Sequence, residues 1–286
     1  MSSPFGGPIV DTMIGFPTAD FSQYDFIRNQ AKDAQTKEEY EFPGEYMFKG
    51  VPKELPTDDP IAVTLSEMDR FGITQGLVGV PSAVSVQALR RHPDRFVASF
   101  EVDANRGMEG IRELVACYEE YDVRAVSAFP CGMAPQVPIN DKKMYPIYAK
   151  CVELGIPIFV CCGVPGPRLP FAAQHVELID EVMYDFPELV FVTRHGCEPW
   201  EELAVKLMLK WPGLHYSTTA FSPKYYPKAI VDYANTRGAD KVIYGGYFPM
   251  GLALERIMGE LPKVDFRDHV WPKFLHENAR RILKLN

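Results

Sequence analysis

A chain of 286 residues, 47% of them hydrophobic, can bury a sizeable core as one large domain or two small ones. The net charge of −8 and the pI near 5.4 argue against nucleic acid as a partner, since that requires a basic face. No apolar run approaches the roughly 18 residues of a membrane span, and no basic amphipathic run suggests a membrane surface. The opening MSSPFGGP lacks the charged and apolar segments of a secretory leader, and the cysteines show no C-x-x-C spacing, so a cytoplasmic protein with reduced thiols is expected.

The first strand is expected in PIVDTMI (8–14). The connection that follows, 16–60, is dense in aromatics and prolines (FPTADFSQYDF, EYEFPGEYMFKGVPKELP). A connection of that length inside a compact domain reads as a lid or binding loop, although its aromatics could equally extend the core. A helix over AVTLSEMDRFG (62–72) leads into strand ITQGLVGV (73–80), and RFVASFEVD (95–103) is the next strand. Helix EGIRELVACYEEY (109–121), strand VRAVSAFP (123–130) and helix MYPIYAKCVELG (144–155) follow, the last stopped by Gly155. Strand PIFVCCG (157–163) precedes helix QHVELIDEVMYDFP (174–187), and strand LVFVTRHG (189–196) precedes helix PWEELAVKLMLKW (199–211). Strand LHYSTTAF (214–221), helix PKAIVDYANTRG (227–238) and strand KVIYGGYF (241–248) complete the series.

Eight strands alternating with helices predict an α/β chain folded as a single (β/α)₈ TIM barrel over 1–286. An open doubly wound sheet would carry a glycine-rich phosphate loop after its first strand, and DTMIGFPT is not one. In such a barrel the site is built at the C-terminal strand ends. Alternation along the first strand would put Asp11, Met13 and Gly15 on one face.

The ordered set IVDTMIG, EYMFKGVP, LSEMDRFGIT, RRHPDRFVASFEVD, YPIYAKCVELGIPIFVCCG, DFPELVFVTRHGCEPW, KVIYGGYFP and ENARRILKL resembles the amidohydrolase superfamily almost end to end. The resemblance is to the branch that holds amino-carboxymuconate-semialdehyde-type decarboxylases and small lactone hydrolases. It implies a metal site, and most of that site is replaced here. The family's Asp-x-His-x-His reads Asp11, Met13, Gly15; its fifth-strand histidine is Cys161; its eighth-strand acid is Tyr247; only the sixth-strand histidine remains, as His195. Catalytic zinc needs about three protein ligands and a water, so neither a metal nor another cofactor is expected.

The replacements leave open a metal-free enzyme or an inactive binding protein. His195 could act as general base or persist as a relic. Tyr247 could donate to an oxyanion or plug the space of the ion. Cys161 could pair with His195 as a nucleophile or be inert filler, and Asp11 could orient a partner or be a satisfied buried acid. Glu101 and Asp103, at the end of the third strand, could bind a substrate hydroxyl or pair with Arg106 or Arg124. Arg168 in VPGPRLP is the best-placed cation for a substrate carboxylate, with a solvated loop charge as the ordinary alternative. Met13 is expected to line the pocket, Glu198 to begin a helix, and Arg194 to face outward with no role.

The leading expectation is a metal-independent hydrolase of a small carboxylated or lactone-like substrate, with His195 as base. A decarboxylase of a small aromatic or unsaturated acid, or an inactive small-molecule binder, are the alternatives. A homodimer is expected by analogy with related barrels.

Overall fold

Parallel strands covered on both faces need apolar residues on both, and strand runs such as FVASFEV, AVSA and IFVC are accordingly rich in Val, Ile, Phe and Ala. A computed structural model describes residues 6–42, 44–48, 51–52 and 55–285. It contains β1 (Ile9–Asp11), β2 (Ile73–Val80), β3 (Phe96–Val102), β4 (Ala125–Ala128), β5 (Ile158–Cys161), β6 (Phe191–Arg194), β7 (Leu214–Ser217) and β8 (Val242–Ile243). All pairs are parallel and follow chain order from β1 to β8. The seam between β8 and β1 is closed by a parallel bridge between Ile14 and Phe248 and by the Thr12 hydroxyl donating to the Tyr244 carbonyl at 2.8 Å. The expected (β/α)₈ barrel is therefore the fold.

β2 spans the whole of its expected run, 73–80, whereas the other strands are shorter than theirs. At β1 the register shifts between Ile9 and Val10, and the Met13 N–H turns back onto the Asp11 carboxylate at 2.9 Å. Of the connecting helices, Tyr145–Leu154 ends at Gly155 in the left-handed region, as its sequence predicts. A helix over Ala83–Arg91 and the last helices, Leu254–Glu260 and Asn278–Ile282, add to those expected. The helix after β6 starts at Glu201 rather than Glu198, since Glu198 precedes a proline and is biased away from helical backbone.

Register decides which side chains enter the barrel. Val10, Leu77, Val97, Ala125, Phe159, Val192 and Ile243 form one buried layer inside it, closed below by Ala279, Ile282 and Leu283 of the C-terminal segment. The outward residues of the same strands join the larger core beneath the helices. Among its described residues, the connection after β1 holds short helical pieces at Ser22–Tyr24, Asp25–Arg28, Ala34–Glu38 and Glu45–Met47, and Phe48 from it packs on Tyr247 at the mouth. Among the described residues no helix is long and apolar enough to cross a membrane.

Candidate active site at the barrel mouth

Above the inner layer lies a cavity of about 190 Å³ lined by Thr12, Met13, Leu77, Ser99, Glu101, Val126, Ser127, Phe159 and Arg194, among others. Its aliphatic and aromatic walls also carry the hydroxyls of Thr12, Ser99 and Ser127, the Glu101 carboxylate and the Arg194 guanidinium. A wider groove of about 510 Å³ lies at the opposite end, where β2 and β3 begin, and includes Asp69, Thr74, Asp94 and Arg95. Arg95 there is bonded to Asp69 and to the carbonyls of Ile73 and Thr74, so its charge braces the strand starts.

Arg194 is the centre of the mouth. Cys161 and Arg194 are register partners on β5 and β6, directly above the inward pair Phe159 and Val192. Side chains two residues apart share a face, so Arg194 enters the barrel. The expectation that it faces the helices is corrected: it rested on His195 pointing inward, and a slip of one residue moves every side chain to the other face. Its Nε donates to Cys161 Sγ at 3.3 Å and its Nη2 to Glu101 Oε2 at 3.2 Å. Burial opposes its charge, but Cys161 and Glu101 beside it raise its pKa overall. Glu101 also accepts from the Ser127 hydroxyl at 3.3 Å. Its ion partner is thus Arg194; Arg106 binds Glu109 and Glu113, and Arg124 binds Asp122. Asp103 caps the Asn105 N–H at 2.9 Å.

His195 lies one residue past β6 with φ of 64°, a left-handed conformation unusual for a residue with a Cβ. Its amide donates to the Thr219 hydroxyl at 2.8 Å, and its ring packs edge-on against Tyr247 with centroids 5.3 Å apart. Burial, reinforced by the charge of Arg194, holds its pKa well below the usual value, so the imidazole is neutral and poorly able to keep a proton that it takes. Its Nδ1 is buried without a hydrogen-bond partner. Tyr247 has its phenol pushed up to about 12 by burial and is a neutral donor. Cys161 is bonded to Arg194 and not to His195; burial keeps its thiol above the ordinary range despite the guanidinium, which disfavours a nucleophilic thiolate.

Asp11 is not in the cavity. It pairs with Gly76, whose missing side chain would meet Ile14 and Met68 on the helix side of the wall. The inward residues of this strand are Val10 and Thr12. Met13, past the strand end, does line the cavity as expected. Asp11 Oδ1 instead accepts from the N–H groups of Met13 and Gly246, at 2.9 and 2.8 Å, tying the exits of β1 and β8 together. Burial pushes its carboxyl up to about 7 even against those two donors.

Arg168 is engaged elsewhere. It bonds Asp33 at 2.6 Å and Gln35 at 2.9 Å and stacks on the Tyr46 ring at 4.7 Å, pinning the β1 connection to the loop after β5. Aromatic contacts then run inward from Tyr24 to Phe42, Phe48 and Tyr247. Tyr24, which sequence reading did not single out, comes near the site from above: burial, with Tyr247 and Glu101 nearby, raises its phenol. Nothing in FSQYDF separates it from neighbouring aromatics before the loop is folded.

The residues present do not fit a divalent ion. Among the described residues no three His, Cys, Asp or Glu side chains converge to hold one. The sulfur that stands at a ligand position of the resembled site faces a guanidinium, and a cation there would repel another.

The chain is similar in fold to an uncharacterized TIM-barrel protein from Bordetella bronchiseptica, with 23% identity, a TM-score of 0.73 and 97% and 99% of the two chains covered. It is similar to 2,6-dihydroxybenzoate decarboxylase from Rhizobium at 14% identity and a TM-score of 0.67, covering 97% of this chain and 99% of that one. A manganese-bound 5-carboxyvanillate decarboxylase from Novosphingobium aromaticivorans matches over both full chains at 15% identity and a TM-score of 0.69. No curated protein sequence matches significantly. The profile described as amidohydrolase, however, matches residues 24–285, nearly everything from the first-loop helices to the C-terminus, and the chain belongs to that amidohydrolase family.

Proposed function

We propose that this protein is a carboxy-lyase that releases CO₂ from a small hydroxylated aromatic or unsaturated acid. The observation that carries the reading is the single guanidinium of Arg194 set into a mostly apolar cavity at the strand ends. At about 190 Å³ the cavity is smaller than the roughly 300–1,000 Å³ of drug-sized sites and suits one ring. The similarity to solved decarboxylases of hydroxylated benzoic acids supports the same substrate class.

The chemistry asked of the residues is modest. Leu77, Val126 and Phe159 keep water from the acid, which favours loss of its charge as neutral CO₂. The hydroxyl beside the carboxylate, ionised and held by the guanidinium, pushes an electron pair toward the carbon that bears the carboxylate as that carbon takes a proton, and the oxygen becomes a carbonyl conjugated to it. The Cys161 thiol and Tyr247 phenol are neutral donors of that proton at the mouth. The carbon–carboxylate bond then breaks, its electron pair returns through the conjugated system to the oxygen as CO₂ leaves, and the proton given up by the substrate hydroxyl restores the donor. Hydrolysis by a His195 base is less well supported, because burial and Arg194 oppose the positive charge that the imidazole would gain on taking a proton.

Trapped CO₂ should be followed with a panel of hydroxybenzoates, in parallel with hydrolysis of small lactones. CO₂ from at least one acid is the expected outcome. Lactone hydrolysis without CO₂ from any acid would replace this reading with the hydrolase.

A further inference from the structure

The geometry points to Arg194 as the resident cation of this site: its guanidinium stands in for the divalent ion of the family, and small aromatic carboxylates bind to it without metal. This rests on the substrate class just proposed and adds how that substrate is held.

The disagreement between donor set and family site has a positive side. Cys161, at the position of a metal-binding histidine in the resembled motif, directs its sulfur at Arg194 Nε at 3.3 Å. The side chain that would have faced an ion faces a permanent positive charge instead. A guanidinium remains protonated under all ordinary conditions and presents five N–H donors in a flat fork. Two of its hydrogen bonds go to Cys161 and Glu101, and the fork has further N–H groups to offer a ligand.

The asymmetry of the ion pair shows which way the charge is turned. Arg194 has a side chain only 13% exposed, whereas Glu101 is 47% exposed. Breaking a pair whose two partners are both buried would strand a charge in a low-dielectric site, which is costly. Here the acid sits toward solvent and can be hydrated when a ligand carboxylate arrives, while the cation stays inside among Val126, Phe159 and Leu77. The hydroxyls of Ser99 and Ser127 line the same cavity and offer donors to the other ligand oxygens. A parallel guanidinium edge matches two oxygens of a carboxylate, or one of them and an adjacent hydroxyl.

The test uses the full chain, with 2,6-dihydroxybenzoate and benzoate as probes and affinity measured by calorimetry. Titrations are run in excess EDTA and again with added Mn²⁺, alongside metal analysis of the purified protein. The expected result is saturable binding of at least one acid, with a Kd equal within about twofold in the two buffers and no stoichiometric metal. Arg194→Met should weaken binding by about 10- to 100-fold, the range for a lost charged hydrogen bond. Arg194→Lys keeps the charge without the fork and should fall between; it also serves if the methionine variant does not fold. Binding that needs Mn²⁺, stoichiometric bound metal, no saturable binding by either acid, or unchanged affinity in both variants would overturn the proposal. CO₂ release is scored separately. Metal-independent binding without CO₂ sinks the lyase reading alone, and CO₂ release that requires Mn²⁺ sinks this inference alone.

Discussion

Arg194, 13% exposed at its side chain, and Asp11, fully buried, are two ionisable groups of the barrel wall, one turned into the barrel and one turned out of it. Arg194 has a carboxylate and a polarisable sulfur beside it, and it keeps its charge. Asp11 has two backbone N–H groups and no cation; Oδ2 lacks a hydrogen-bond partner, and its pKa rises to about 7. Burial is common to both. The partner set decides which side chain remains an ion throughout the ordinary pH range, and hence can attract a charged ligand, and which holds its proton up to about neutral pH.

The strongest way to sharpen this contrast is pH. The Asp11 carboxyl titrates near 3.8 when unfolded and near 7 when folded, so between those values the folded chain holds a proton that the unfolded chain has lost. Its contribution to stability is therefore greatest below the unfolded pKa and falls as pH rises, by about 4 kcal/mol from pH 4 to pH 8. Asp11→Asn retains an oxygen acceptor and cannot ionise. Urea unfolding at each pH should show the variant gaining on the wild type across that interval, and parallel curves would refute the assignment of a neutral acid.

A smaller effect is expected at Gly246. A Cβ there would fall 2.4 Å from Asp11 Oδ2, too close for any side chain to be accepted without movement. Gly246→Ala should lower the unfolding free energy by about 2 kcal/mol, with much of the loss recovered when Asp11 is also cut back to alanine. Equal losses with and without the carboxyl would show that the clash is not with Asp11.

The mildest change concerns the other arginine. Arg168→Ala removes the pin between Asp33, Gln35 and Tyr46, and amide exchange over 33–47 should quicken. Carboxylate affinity should stay within about twofold of wild type, because Arg168 does not line the cavity. A loss comparable to that of Arg194→Met would make Arg168 the anchor.

Strands and helices were legible because apolar periodicity and stops such as Gly155 act locally, and the eight apolar runs each contain a strand. The site was legible only as a place. In LVFVTRHG both faces are buried, so hydrophobicity gives no parity, and the histidine of the family pattern took the inward position that belongs to Arg194. At β1 strict alternation would put Asp11 and Met13 on one face. The chain leaves the ladder after Asp11, where the Met13 N–H turns back onto the carboxylate, so Met13 lines the cavity and Asp11 does not. Arg168 could not be placed because its partners lie 135 and 133 residues earlier, in a connection with no strong periodicity of its own.

Ala279, Ile282 and Leu283 stop the lower end of the cylinder with methyl groups. The molecule is consequently a cup and not a tube. With the floor closed, a molecule that enters the cavity must leave by the end at which it came in, the end where Phe48 packs on Tyr247.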